Sequence, residues 1–156
     1  SVQAQVLNFM KHIQQQYNIA YLFISHDLGA VAKIADRVAV MYAGKIVEIG
    51  TAEDIYYSPE HPYTWGLLSS LPALAIESGE LYSIPGTPPI LIDPPKGDAF
   101  AVRNEYALAI DYEKEPPMFK ISDTHYAATW LLDERAPKVQ RPIQLERGKG
   151  IWKKIT

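Results

Sequence analysis

The clearest capacity for chemistry in this 156-residue chain lies in Ser25-His26-Asp27. An uncharged apolar run, Ile19-Ala-Tyr-Leu-Phe-Ile24, leads directly into it, and Leu28-Gly-Ala-Val-Ala-Lys-Ile-Ala35 follows. The run does not alternate, which predicts a strand over 19–25 covered on both faces, as in a parallel α/β sheet. Ligands of such sheets sit beyond the carboxyl ends of the strands. A histidine at that place is held by rigid backbone and can donate to a phosphate oxygen, as a neutral donor or as a cation. Asp27 is placed to cap a short helix over 28–35, with Leu28, Val31, Ala32 and Ala35 on one face. Without a partner for that chemistry, His26 does no more than complete a strand end.

Further elements are predicted around this turn. Val2, Val6, Phe9, Ile13 and Tyr17 step by three and four, so residues 2–17 read as an amphipathic helix with that stripe inward and His12 on the solvated face. A helix starting at residue 2 suggests that something precedes it. Arg37–Tyr42 and Lys45–Ile49 flank Ala43-Gly44 and predict a hairpin. Thr51, with Glu53 and Asp54 behind it, opens a short helix. Pro62 starts another through Leu71, with Trp65, Leu68 and Leu71 inward. His61 then belongs to a helix entrance, not to a reaction. Short strands near Leu81–Ile84 and Met118–Ile121, and short helices near Glu105–Ile110 and Tyr126–Leu132, complete the reading.

Proline and charge divide the chain. Residues 1–58 hold none of the 12 prolines, and 59–156 hold them all. Regular elements therefore belong mainly to the first part, and turns and extended segments to the second. The Pro-rich runs at 85–95 and 116–117 read as rigid turns. Residues 1–134 carry 8 basic and 17 acidic side chains, a net −9, while 135–156 carry 7 basic and one acidic, a net +6. That tail is either a solvated end or a contact for an acidic partner or anionic membrane surface. The net charge of −3 argues against general nucleic-acid binding. No apolar run approaches the roughly 18 residues that span a bilayer, and no Met-started basic and apolar leader is present. The absence of cysteine excludes disulfides, thiolate nucleophiles and Cys-ligated metal centres.

Three ordered blocks carry a family resemblance. Residues 24–50, ISHDLGAVAKIADRVAVMYAGKIVEIG, resemble the switch region of ABC-transporter ATPases. HPYTWGLLSSLP at 61–72 and IPGTPP at 84–89 resemble the C-terminal extension of the ATP-binding subunits of oligopeptide and dipeptide importers. SVQAQV at 1–6 resembles the helix start behind their dimer-contact loop. The resemblance, covering about residues 1–137, implies an α/β fold. Residues 1–58 would be the C-terminal part of a P-loop ATPase core (strand, helix, hairpin), and 59–137 a small Pro-rich α+β extension. A basic tail would fill 138–156.

His26 matches the family's switch histidine, which contacts the γ-phosphate of ATP and helps position the attacking water. Asp27 matches its acidic neighbour and is read as a cap. The chain contains no GxxxxGK[ST] phosphate loop, no LSGGQ-like signature and no acidic strand end with a catalytic Glu. It therefore reads as the C-terminal half of a longer subunit, inactive by itself. In the whole subunit the resemblance implies ATP and Mg²⁺, a second ATP-binding subunit, two membrane-spanning permeases and, indirectly, an extracellular peptide-binding protein. It implies a place at the cytoplasmic face of the membrane.

Many relatives bind an iron–sulfur cluster through four cysteines in the extension. The corresponding positions here are Asp98, Asn104, Asp111 and Thr129, with His125 nearby. Four oxygen ligands suit Ca²⁺ or Mg²⁺, but turn-capping Asp, Asn and Thr are the plainer reading. The extension is thus expected to fold without a metal or cluster. Two other functions compete with the transport reading. One is a non-catalytic subunit-interaction or dimerisation module, in which the extension (about 72–137) mediates subunit contacts and the truncated core only supports it; separately, strand 19–25 without its parallel neighbours would expose an edge and self-associate. The other is a metal phosphohydrolase built on His26-Asp27, which would need further His and Asp ligands; His12 is the only nearby histidine.

Overall fold

Ala43 and Gly44 both adopt positive φ, 48° and 79°. Paired positive φ values match the right-handed twist of the strands they join. The turn closes a hairpin of β1 (Arg37–Tyr42) and β2 (Lys45–Thr51). The computed structural model describes residues 2–71, 83–90 and 92–142. Before the hairpin come α1 (Val2–Tyr17) and α2 (Leu28–Ile34), and after it α3 (Ala52–Tyr57) and α4 (Pro62–Ser69). Short strands β3 (Phe119–Lys120) and β4 (Tyr126–Ala127) add to the hairpin, giving an antiparallel sheet in the order β1-β2-β4-β3. The fold is thus mixed α and β around a small antiparallel sheet.

The helix boundaries follow local chemistry. Asp27 Oδ1 accepts from the Ala30 amide and caps α2. Thr51 and Asp54 form a reciprocal capping box on α3. Pro62 sits in the first turn of α4, where its missing N–H costs nothing. The main core joins Val38, Val40 and Tyr42 of β1 to Val47, Ile55, Tyr56, Leu68 and Phe100. Trp65 and Leu68 of α4 are buried, as their spacing predicts, and Leu71 packs against the core. Helix α2 is two-sided: Ala32 enters this core, while Ala30 and Ile34 form a second cluster with Leu7.

Several expectations are corrected. Residues 19–25 form no strand, and Leu22 and Ile24 are 92% and 88% exposed. A parallel strand exists only beside its ladder partners, and none lies next to this run among the described residues. Only Phe23 packs inward, on the Leu7 cluster. The stripe of α1 is turned as well: Leu7 is the buried residue, whereas Val2, Val6, Phe9 and Tyr17 face solvent. Helix α1 lies on α2, so the flank of the apolar stripe near Met10 decides its orientation.

In the second part, 126–132 begins as strand β4, because its backbone is drawn to β2: Ala127 pairs with Glu48. The helix expected near 105–110 is a turn followed by a single 3₁₀ turn over Ala109–Tyr112. Ser83 and Ile84 lie outside regular structure, and the rest of the strand expected near 81–84 falls outside the described residues. Most of the basic tail, from residue 143, also lies outside them. Among the described residues no helix is long and apolar enough to cross a membrane.

Candidate functional site

His26 stands exposed on a turn that its neighbours tie down. Ser25 Oγ accepts from the Asp27 amide at 3.0 Å. The Asp27 carboxylate takes the Ala30 amide at 3.1 Å on one oxygen and Gln3 Nε2 at 3.0 Å on the other. These bonds favour the ionised carboxylate, Gln3 foremost, and hold Asp27 below the usual range. Tyr56, buried on α3, donates its hydroxyl to the Leu28 carbonyl at 2.6 Å. Burial, with the Asp27 charge nearby, raises the Tyr56 phenol and keeps it a donor. A cavity of about 220 Å³ opens beside the turn, lined by Gln3, Asp27, Ala30 and Lys33 among others.

The four polar positions of the second part share one local role. Asp98 Oδ1 accepts from the Phe100 amide at 2.9 Å, and Asn104 Oδ1 from Tyr106 at 3.0 Å. Asp111 Oδ2 accepts from Leu108 at 2.6 Å, and Thr129 Oγ1 from Leu131 at 3.3 Å. Each side chain thus caps its own turn, as Asp, Asn and Thr commonly do. The turns are locked together at Gly97, where an added Cβ would lie 2.0 Å from the Asp111 carbonyl oxygen. Burial, with Asp111 and Glu115 adding like charge, pushes Asp98 up to about 6. An iron–sulfur cluster does not suit this donor set, which offers no thiolate. Among the described residues no three His, Asp or Glu side chains converge as a metal site requires.

A third polar group was not foreseen from the sequence. Glu48 is fully buried, and its carboxylate accepts from the Glu60 amide (2.7 Å), the His61 amide (3.1 Å) and His125 Nε2 (2.7 Å). A carboxylate only accepts, so Nε2 carries the proton in the His125 pair. His61 Nδ1 accepts from the Tyr63 amide and caps α4, while its Nε2 and Thr64 Oγ1 make no close hydrogen bond among the described residues. Burial holds the His61 imidazole down at about 4, against the pull of Glu48. Arg141 pairs with Glu60 on the rim of this group, and burial raises the Glu60 carboxyl. Glu48 was hidden because the strand is irregular. The β1–β2 register shifts between Val40 and Met41, and Val47 and Glu48 are both buried. Simple alternation would put one of them in water.

Residues 47–110 match the family model described as "Oligopeptide/dipeptide transporter, C-terminal region". The chain is 59% identical over 142 residues to the oligopeptide transport ATP-binding protein AmiE of Streptococcus pneumoniae. It is 61% identical over 144 residues to the oligopeptide transport ATP-binding protein OppD of Bacillus subtilis. Each alignment takes in 91% of this chain and 40% of the relative. With OppD of Mycoplasma pneumoniae the identity is 47% over 99% of the chain and 36% of the relative. The chain therefore spans about two-fifths of the length of the curated relatives it matches.

Proposed function

We propose that the chain, which is similar to oligopeptide and dipeptide transport ATP-binding proteins, belongs to their family and is the C-terminal part of a subunit whose ATP hydrolysis powers oligopeptide import. Residues 1–58 contribute the end of the ATPase core and 59–137 the extension. His26 supplies the hydrogen bond to the terminal phosphate of ATP, and Asp27 holds its turn by capping α2. Phosphoryl transfer depends on positioning and charge stabilisation, and a histidine on a fixed turn serves both. The phosphate loop and the acidic residues that hold ATP and Mg²⁺ are not among these 156 residues. The whole protein works with a second ATP-binding subunit and two membrane-spanning permeases at the cytoplasmic face of the membrane, fed by an extracellular peptide-binding protein.

The observation that carries this reading is the 59–61% identity to transport ATP-binding proteins along nine-tenths of the chain. In a full-length ATP-binding protein carrying this sequence, His26→Ala lowers ATP turnover about a hundredfold, the usual cost of losing one positioned donor. Turnover within about twofold of the unsubstituted protein overturns the assignment. The 156-residue chain itself is expected to bind ATP more weakly than micromolar; nucleotide titration checks this, and micromolar affinity would overturn the reading.

One observation favours a second reading, an interaction module that self-associates. The uncharged segment 19–25 has no strand partner among the described residues and leaves Leu22 and Ile24 in water. Such segments pair readily with a second copy. Light scattering then finds oligomers at about 100 μM, and a monomer at that concentration removes this reading.

A further inference from the structure

Tyr56 does more than fill the core. We propose that it is a positioning residue for the His26 turn, and that through it the extension sets where that turn stands. The inference rests on the reading of His26 as the phosphate-contacting group.

The geometry runs along α3, a helix of six residues. Near its C-terminus, the Tyr56 hydroxyl holds the Leu28 carbonyl, two residues beyond His26. At its N-terminus, Asp54 Oδ2 accepts from Thr124 Oγ1 of the extension at 2.9 Å, a solvent-exposed bond that the buried His125–Glu48 pair beside it supports. The next residue, His125, bonds to Glu48 on β2, the strand that leads into α3. The Ala52 amide at the head of α3 donates to the Asp36 carbonyl, which fixes the helix against the end of the α2 segment. Both ends of α3 are therefore anchored, one by the extension and one on the histidine turn. A helix this short moves as a unit, because bending it would break its few internal hydrogen bonds.

Apart from the α2 cap itself, the side-chain restraints on the turn are solvent-exposed. Gln3 reaches Asp27 from an exposed position, and the Ser25–Asp27 bond is local and solvent-exposed. The Tyr56 hydroxyl approaches from the buried side, where water does not compete with it. Removing it frees the turn from α3 while leaving the aromatic ring in the core.

Amide exchange at Ala30 and Val31 reads the turn directly. Both amides donate to Asp27, one to its side chain and one to its carbonyl. In the 156-residue chain, Tyr56→Phe speeds their exchange about fivefold beyond any change in global stability, the usual effect of losing one hydrogen bond. Thr124→Val, which releases the extension end of α3, speeds the same amides in the same direction. Tyr42→Phe removes a buried hydroxyl that accepts from Arg103 in the hairpin core, and it leaves these two amides at the globally expected rate. Unchanged exchange in Tyr56→Phe overturns the positioning role, and an effect of Tyr56→Phe without one of Thr124→Val overturns the link to the extension.

In a full-length ATP-binding protein, Tyr56→Phe lowers kcat for ATP several-fold with KM unchanged. A KM effect of that size with kcat intact would also count against it. If His26→Ala leaves turnover intact while the exchange effects remain, the catalytic reading of His26 fails and the mechanical link stands.

Discussion

The helical part before residue 36 and the part built on the hairpin are stabilised in opposite ways. In the first, α1 reaches α2 through Leu7 and Met10, and apolar side chains from Val2 to Ile24 lie in water. In the second, Glu48, His61 and Asp111 are buried with their turns and strand ends hydrogen-bonded around them. The comparison teaches that the candidate reactive turn sits on the loosely held side. Besides its local bonds, the turn receives one hydrogen bond from the closed side, from Tyr56 of α3. A histidine that responds to a ligand needs such a seam, since local openings cost least where buried contacts are few.

The largest break is expected at Glu48. Glu48→Ala strands two buried backbone amides and the His125 imidazole, and should cost about 3–5 kcal/mol, as loss of one member of a buried polar pair does. Urea or thermal unfolding measures it; a loss under about 1 kcal/mol would mean that the closed side is held by apolar contacts alone.

A smaller, pH-dependent test separates two buried groups. His61 is held down at about 4, so the unfolded chain binds the proton more readily. Stability attributable to His61 is complete above about pH 6.5 and falls as the pH drops toward 4. His61→Asn, which keeps a capping acceptor, flattens that slope by up to about 3 kcal/mol. Asp98 behaves oppositely. With its carboxyl raised to about 6, the neutral form is favoured in the folded state, and stability is lost as the pH rises from about 4 through 6. Asp98→Asn keeps the acceptor for the Phe100 amide and should add about 1–2 kcal/mol at pH 7 and little at pH 4. A gain that does not vary with pH would show that ionisation of Asp98 is not its cause.

The smallest effect belongs to the open side. Leu22→Lys should change unfolding free energy by less than about 0.5 kcal/mol, because the side chain is almost fully exposed. It should also abolish any self-association through 19–25. A large loss of stability would show that this segment is packed in solution and would erase the contrast.

How much of this was legible in the sequence depends on the range of the signal. The Asp27 and Thr51 caps, the Ala43-Gly44 turn and the Pro62 helix start are decided within a few residues, and each stands where its residue types imply. The turn-capping roles of Asp98, Asn104, Asp111 and Thr129 are equally local. The strand over 19–25 required neighbours that the run itself cannot supply. The facing of α1 was decided by α2, which selected Leu7 over the longer stripe through Val6 and Phe9. The β4 strand over Tyr126–Ala127 was read as helix because its partner, Glu48, lies far away in sequence. The His26 turn was legible as a place. Its tether to Tyr56 was not, since no spacing rule links residues 28 and 56.

The register shift in the hairpin has one more consequence. Val40 pairs with Glu48 and Met41 with Ile46, so Val47 is a supernumerary residue, and its carbonyl receives the Ala128 amide at 2.8 Å. Val47 works as a spacer that sets the count between the turn and Glu48. The hairpin should accept many exchanges of side chain at its exposed positions but no change of length. Losing one residue there would return the strand to even alternation and shift the β2 backbone out of register with β4.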